Sequence, residues 1–532
     1  MNGTVRMYFL AFMHRCLRVD EIARVIAHEL VAAGGQATAV ALACCSKGFE
    51  DLALDALWGT QSRLVPLLQT LPADVWSPER SDVSIVMMTS VLSLLSRLNG
   101  KSLGRPPTEQ EWDRLWKYAQ KMREVFLPDL PSQVLSILQP RTLGNPLLPN
   151  LEVLRLWEVF DDSIPFIPLF LSTRTTTIHL GFFELDLHTT TAASIIAAFP
   201  GLCPNLREIH LTGLPRHPII TVAVSKLVLG TNQNTLQHFH ADSPLTEEAR
   251  KAIYNCPDLR TLQTVFNTPT ASPTMTLPNL TYMYIEYYHG RDWLQGLRGA
   301  SLGKLTSVTI SSESDSIDDF LGAFKAVLLT TSIPATLTAF RFITRRSWRP
   351  IYHSLLPFTQ LKNLAIGFSC DPGCSSTIDD DTVTDLARAM PALETLRLGN
   401  SPCGTPGGVT VRGLAAIAHY CRHLFSLIIH FQVASLDPQE VPVPASSKEF
   451  IPPREGCTLK YLGVGWIRVQ EESTLMVALT LLNIFPHLEE LDYLYQGWEK
   501  IADAIYNSKQ LSRCSSKKRF FVVIWSMLMT NI

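Results

Sequence analysis

Pro149-Asn150-Leu151-Glu152-Val153-Leu154-Arg155-Leu156 carries the spacing L-x-x-L-x-L, and its recurrence decides the fold. The same spacing returns at Leu206/Ile209/Leu211, Leu236/Phe239/Ala241, Leu280/Met283/Ile285, Leu305/Val308/Ile310 and Leu337/Phe340/Phe342. It continues at Leu361/Leu364/Ile366, Leu393/Leu396/Leu398, Leu424/Leu427/Ile429, Leu459/Leu462/Val464 and Leu488/Leu491/Tyr493. Weaker copies stand at Thr175/Ile178/Leu180 and Leu259/Leu262/Thr264, making 13 in all. Their mean interval is about 28 residues, inside the range of leucine-rich repeats. In an extended segment alternate residues share a face, so the last two apolar positions point inward and the residue between them outward. One such unit cannot bury its own apolar face, whereas a stack of them builds a continuous core behind a curved parallel sheet. The class expected is therefore α/β, a leucine-rich-repeat solenoid over residues 149–500 with helices on its outer side.

Between the repeat strands lie helical patterns at Thr246–Asn255, Asp379–Met390, Thr410–Tyr420 and Ser473–Phe485. Asp379-Asp380-Asp381 reads as capping and dipole compensation, because a calcium loop would need a glycine and a closing glutamate at set spacing. Cys203, Cys256 and Cys421 each stand three residues before a repeat leucine and read as small buried residues closing a turn. Cys370 and Cys374 lack a second ligand pair nearby and are read the same way. A proline-rich insertion, 437–456, explains the long interval before Leu459.

Composition agrees with this architecture. The 532 residues include 75 leucines, and 46 basic against 48 acidic side chains leave a net charge of −2, which speaks against a surface devoted to phosphate backbones. Hydrophobic residues at 46% exclude a disordered chain. Eleven irregularly spaced cysteines fit reduced thiols in a cytoplasmic or nuclear compartment. The uncharged runs at 7–13, 83–96 and 520–532 all fall short of the ~20 residues that span a bilayer. No membrane association and no nucleic-acid partner is expected, and the cluster Arg341, Arg345, Arg346, Arg349 with Trp348 reads as a solvated rim.

The first part of the chain departs from the repeat. Ile22, Ile26 and Leu30 recur at helical spacing, Gly34-Gly35 breaks the run, and two further short helices follow over 37–47 and 50–58. Leu17-x-x-x-Glu21-Ile22-x-x-x-Ile26-x-x-x-Leu30, then Ala41 to Phe49, then Ala53 to Trp58, resembles an F-box. The likeness is to F-box and leucine-rich-repeat proteins of basidiomycete fungi, in which a start similar to Met13-His14-Arg15-Cys16-Leu17 is common. The resemblance covers residues 13–62 and, through the repeats, 149 to about 500. It implies a helical hook for a Skp1-like adaptor and, through it, a cullin, as in an SCF-type (Skp1-cullin-F-box) ubiquitin ligase. The adaptor-facing residues it implies are Leu17, Ile22, Ile26, Leu30, Leu42, Phe49, Leu57 and Trp58. Arg18 stands where the family usually has proline after Leu17, and Ser46 where it often has cysteine. The alternatives are a three-helix cap that only shields the repeat core and a non-ligase scaffold that binds protein partners.

Residues 63–148 read as a helical connector, with an amphipathic helix over Glu109–Phe126. Residues 501–532 form a C-terminal tail, of which the part from Lys509 on matches neither the repeat nor the family pattern. The chain lacks G-x-G-x-x-G after a strand, G-x-x-x-x-G-K-[ST], H-E-x-x-H and G-x-S-x-G, so no enzyme and no cofactor is expected. What the sheet offers is an outward column: Arg155, His179, His210, His240, Gln263, Tyr284, Thr309, Arg341, Ala365 and Arg397. The target-binding residues expected on this concave face are Trp157, His179, His210, His240, Tyr282, Tyr284, Arg341 and Arg397. Aromatic and arginine side chains are the usual anchors of interfaces. A three-histidine metal site would need converging rings and outer partners, so no metal is assigned. Imidazoles at an ordinary pKa of ~6.5 would gain charge below neutrality and favour an acidic target there.

Overall fold

In every one of the 13 repeats the first position of the motif is buried: twelve leucines, from Leu151 to Leu488, and Thr175. Thr175 stands in for leucine because its hydroxyl donates to the Leu151 carbonyl at 3.0 Å. The computed structural model describes residues 20–45, 47–75, 105, 107–127, 135, 138, 145–183, 189–266, 277–287, 302–312, 336–344, 349–368, 378–399, 408–431, 457–464, 474–493 and 498–514. They fall in two compact units, residues 1–259 and 260–532. Leu17, the insertion 437–456, the run 83–96, Cys370, Cys374, Arg345, Arg346 and Trp348 lie outside the described residues.

The first unit opens with three helices, α1 (Asp20–Ala32), α2 (Gln36–Cys45) and α3 (Lys47–Gly59). Asp20 and Glu21 occupy the first turn of α1, where carboxylates oppose the helix dipole. Gly34, at φ +80°, makes the turn into α2, a conformation side chains disfavour. The core of this module is built from small residues: Ala23, Ala27, Ala39, Ala53 and Ala56 are buried, with Leu52. Alanine lets the helix axes approach closely and leaves the larger apolar residues on the outside.

The sheet begins before the repeats do. Strand β1 (Thr60–Gln61), at the end of the helical module, pairs in parallel with β2 (Glu124–Leu127), and β2 pairs with β3 (Val153–Val159). The connector is thus not wholly helical. It contains α4 (Val65–Leu68), a short 3-10 turn at Ala73–Val75, α5 (Glu109–Ala119) and then β2. Helix α5 starts at a full capping box between Thr108 and Glu111 and stops at Ala119, seven residues short of the Phe126 expected. Beyond it Val125 and Leu127 are buried while Glu124 and Phe126 are not, the period of a strand, and pairing on both sides overrides the helical run. Lys121 ties the connector to α3 through Asp55 at 2.7 Å and Asp51 at 3.3 Å.

Strands β4 (Thr177–Phe182), β5 (Glu208–Thr212) and β6 (His238–Pro244) complete the parallel run of this unit, in chain order. Helices α6 (Thr189–Leu202), α7 (Pro218–Gly230) and α8 (Glu247–Tyr254) alternate with them. The second unit repeats the plan with β7 (Thr261–Phe266), β8 (Tyr282–Tyr287), β9 (Ser307–Ser312), β10 (Ala339–Thr344) and β11 (Asn363–Phe368). It ends with β12 (Thr395–Leu398), β13 (Ser426–Ile429), β14 (Tyr461–Val464) and β15 (Glu490–Tyr493). Its described helices are α9 (Arg349–Leu355), α10 (Asp380–Ala389), α11 (Val411–Tyr420), α12 (Thr474–Ile484) and α13 (Trp498–Cys514). Within each unit successive repeats are also locked by one carbonyl that accepts two amides: Glu152 from Thr176 and Thr177 and Arg207 from Gln237 and His238 in the first, Lys362 from Glu394 and Thr395 in the second. This is a solenoid-like α/β fold. Helix α13 straddles the boundary expected at 500, with Trp498, Ile501 and Ile505 buried. Among the described residues no helix is long and apolar enough to cross a membrane.

The buried thiols follow the turn reading. Cys203, Cys256 and Cys421 are buried, and burial pushes each thiol up to about 12, far from nucleophilic use at neutral pH. Cys421 and Cys457 form a ladder, the Cys457 thiol donating to the Cys421 carbonyl at 3.4 Å.

Candidate functional site

In the first unit the register sets Arg155, His179, His210 and His240 side by side on β3 to β6. Their strand neighbours Leu154, Ile178, Ile209 and Phe239 are buried, so the row faces away from the core. Arg155 leans to the other side of β3, its guanidinium over the Phe126 ring at 4.7 Å. The His179 and His210 rings lie 4.0 Å apart between centroids, and His210 and His240 are 5.5 Å apart at a steeper angle.

Two carboxylates, both on the same face, divide the histidines between them. Glu208, two residues before His210, places Oε1 3.1 Å from Nε2 of His179 and 3.1 Å from Nε2 of His210. The Thr177 hydroxyl, two residues before His179, donates to the other oxygen of Glu208 at 3.4 Å. His240 turns instead to Asp242, with Nε2 at 3.0 Å from Oδ1. The second oxygen of Asp242 accepts the Gly213 amide at 2.9 Å.

The electrostatics correct the expectation of a simple cationic row. Burial holds the His179 imidazole below its ordinary pKa, against the pull of Glu208. The proximity of His179 and His210 holds the Glu208 carboxyl well below the usual carboxylate range. Burial raises Asp242, but bonds from His240 and the Gly213 amide outweigh it and leave the group lowered. Charge on His179 is therefore postponed to lower pH, and two carboxylates already stand against the row.

Trp157 stands at the edge of this row and is 65% exposed. It sits where the register of β3 against β4 shifts, between Leu156 and Val159. Gly181 permits that irregularity, since a Cβ there would collide with the Trp157 carbonyl. Phe160 and Phe183, both exposed, meet edge to face just beyond the ends of β3 and β4, at 5.8 Å.

The remaining four candidates belong to the second unit. Tyr282 and Tyr284 are half-buried on β8, with Tyr284 in register with Gln263 and Thr309. Arg341 is exposed on β10, between Thr309 and Ala365. Arg397 is half-buried on β12, beside Ala365 and Ile428. The eight residues thus divide four and four between the units.

In the helical module Ile22 and Ile26 are 42% and 37% exposed, and their neighbour Val25 is 61% exposed. Leu30, Leu42, Phe49, Leu57 and Trp58 are half-buried. Trp58 stacks on Tyr118 of α5 at 4.7 Å, which ties it to the connector rather than leaving it free for a partner. Glu208, Phe160 and Phe183 were not singled out in the sequence. Glu208 could have been found from its i−2 spacing to His210; the two phenylalanines lie past the motif and carry no repeat signal. No protein-family model and no curated protein matches the chain.

Proposed function

We propose that this protein is an F-box-like leucine-rich-repeat receptor, the substrate-recognition subunit of an SCF-type ubiquitin ligase. Its helical module would hold a Skp1-like adaptor and so a cullin, and the outward sheet face would hold a protein target. The observation that carries this reading is the inverted packing of the module. Its buried residues are mostly alanine, with Leu52, while Ile22, Val25, Ile26 and Val40 are turned to solvent. A cap that only shielded a solenoid end would present polar residues there; branched apolar residues clustered on a small helical module mark a surface made to be covered. Exposed neighbouring thiols at Cys44 and Cys45 support a reducing cytoplasmic or nuclear setting.

The test is capture of the host Skp1 homologue by the full-length chain, beside Ile26→Asp. Ile26 is exposed, so the substitution spares the fold, yet it would bury a carboxylate without a partner in the complex. Capture by the wild type and its loss in the variant are the expected results. A wild-type chain that captures no Skp1 removes the ligase reading. A second reading, a scaffold without a ligase, has its own observation: β1, Lys121 and the Trp58–Tyr118 stack fix the module as the end piece of the sheet.

A further inference from the structure

The histidine row holds more than a recognition surface requires. His179 and His210 bring both Nε2 atoms to the same oxygen of Glu208, 3.1 Å away in each case. Neither nitrogen makes a hydrogen bond there, although both atoms are shut off from solvent. Two ring nitrogens and a carboxylate oxygen thus converge, and the three ligand atoms lie within 4.8 Å of one another.

We propose that Nε2 of His179, Nε2 of His210 and Oε1 of Glu208 form a site for a divalent transition-metal ion of the zinc class, on the outward face of β4 and β5. A cation ~2.0–2.1 Å from each ligand atom, with 3.1 Å between nitrogen and oxygen, subtends roughly 100° at the metal. The imidazole lone pair then points about 40° off the line to the carboxylate oxygen, in keeping with rings that miss a hydrogen bond at this distance. Two imidazoles and one carboxylate select zinc-like ions over calcium or magnesium, which prefer all-oxygen shells. An outer partner is present: the Thr177 hydroxyl holds the far oxygen of Glu208 and leaves the near one for the ion.

His240 is not a ligand, since it is engaged by Asp242. Arg155, the neighbouring cation in the row, leans towards β2, its guanidinium over the Phe126 ring at 4.7 Å. Three protein ligands leave a coordination position for water or for a donor from a bound partner. This inference stands apart from the ligase reading and does not need it.

The experiment uses the full-length chain, stripped with a chelator and titrated with Co²⁺ and then Zn²⁺. One equivalent of Co²⁺ is expected to give a visible d–d spectrum free of thiolate charge-transfer bands, and Zn²⁺ should abolish it. Competition with a chromophoric chelator should show at least tenfold weaker Zn²⁺ binding in Glu208→Gln and His210→Gln. Thr177→Val should weaken it about tenfold, and His240→Ala should leave it unchanged. In the wild type, imidazole NMR should show two histidines shifting on Zn²⁺ addition, a readout that needs no variant to fold. Absence of a saturable Co²⁺ spectrum, thiolate bands in it, or equal Zn²⁺ affinity in folded Glu208→Gln would each overturn the site.

Discussion

Asp380, the first residue of α10, caps the helix of the following repeat: its carboxylate accepts the Thr410 amide at 2.7 Å and the Thr410 hydroxyl at 2.6 Å. The Gly413 amide adds a third bond at 3.0 Å. Asp379 meanwhile caps its own helix through the Thr382 amide at 2.9 Å. Neighbouring acidic residues therefore do different work, one within a repeat and one between repeats.

Asp380→Ala leaves the amide donors at the start of α11 without their acceptor. A loss of ~1–2 kcal/mol is expected, the size of a strong N-cap. Amide exchange should quicken in both Asp380–Ala389 and Val411–Tyr420. Asp381→Ala, exposed and joined only loosely to Arg412 at 3.9 Å, should alter neither. Equal effects from the two variants would mean that Asp380 acts by charge alone.

Leu396 is buried between Leu364 and Leu427, its register partners in β11 and β13. Leu396→Ala opens a cavity and should cost ~2–5 kcal/mol. Because repeats touch only their neighbours, exchange should quicken first in β11 to β13 and only later elsewhere. Uniform protection with an unchanged melting temperature would contradict the register.

These two sites show what sequence reading reaches and where it stops. The repeat leucines were legible because each is set by a local spacing, and the helices opened by Thr246, Asp379 and Thr410 announce themselves by their caps. The bond from Asp380 to Thr410 was not legible, since it joins residues 30 apart whose meeting depends on the stack. Strand β2 was hidden because Trp112, Leu115, Ala119 and Met122 keep a helical period almost to its start, and four alternating residues are too few to outweigh that. The histidine row followed from register alone. Its pairing with Glu208 required knowing which rotamers converge.

The pH dependence of the first unit should show a local signature at Arg105. This guanidinium holds Glu111 through bonds of 2.9 and 2.7 Å and reaches Asp74 at 2.8 Å. The Glu111 carboxyl, which also accepts the Thr108 amide, is held down to about 2. A carboxyl lowered in the folded state contributes stability that is present above its unfolded value of 4.5 and is lost as pH falls through about 2. NMR titration of the Glu111 carboxyl should place its midpoint near 2, and Arg105→Ala should move it back towards 4.5. A wild-type midpoint near 4.5 would show that the Arg105 contact does not persist in solution.

The proposal that the outward sheet face binds a target can be tested at Trp157, where the side chain is exposed and the backbone irregular. Trp157, Phe160 and Phe183 give an exposed aromatic group at the edge of the histidine row, and tryptophan is the residue most often found to dominate an interface. Trp157→Ala removes a solvent-facing ring, so melting should barely change, while target capture should weaken by ~1–3 kcal/mol. The rival surface is the helical side of the same unit, where Ile219, Val222 and Leu229 of α7 are also exposed. Val222→Asp changes that side without touching the sheet, and on the present reading it should leave capture intact. Proximity labelling of the full-length protein, run beside both variants, separates the two surfaces. Proteins lost from the Trp157→Ala sample and kept by Val222→Asp are bound by the sheet; the opposite pattern would move recognition to the helices.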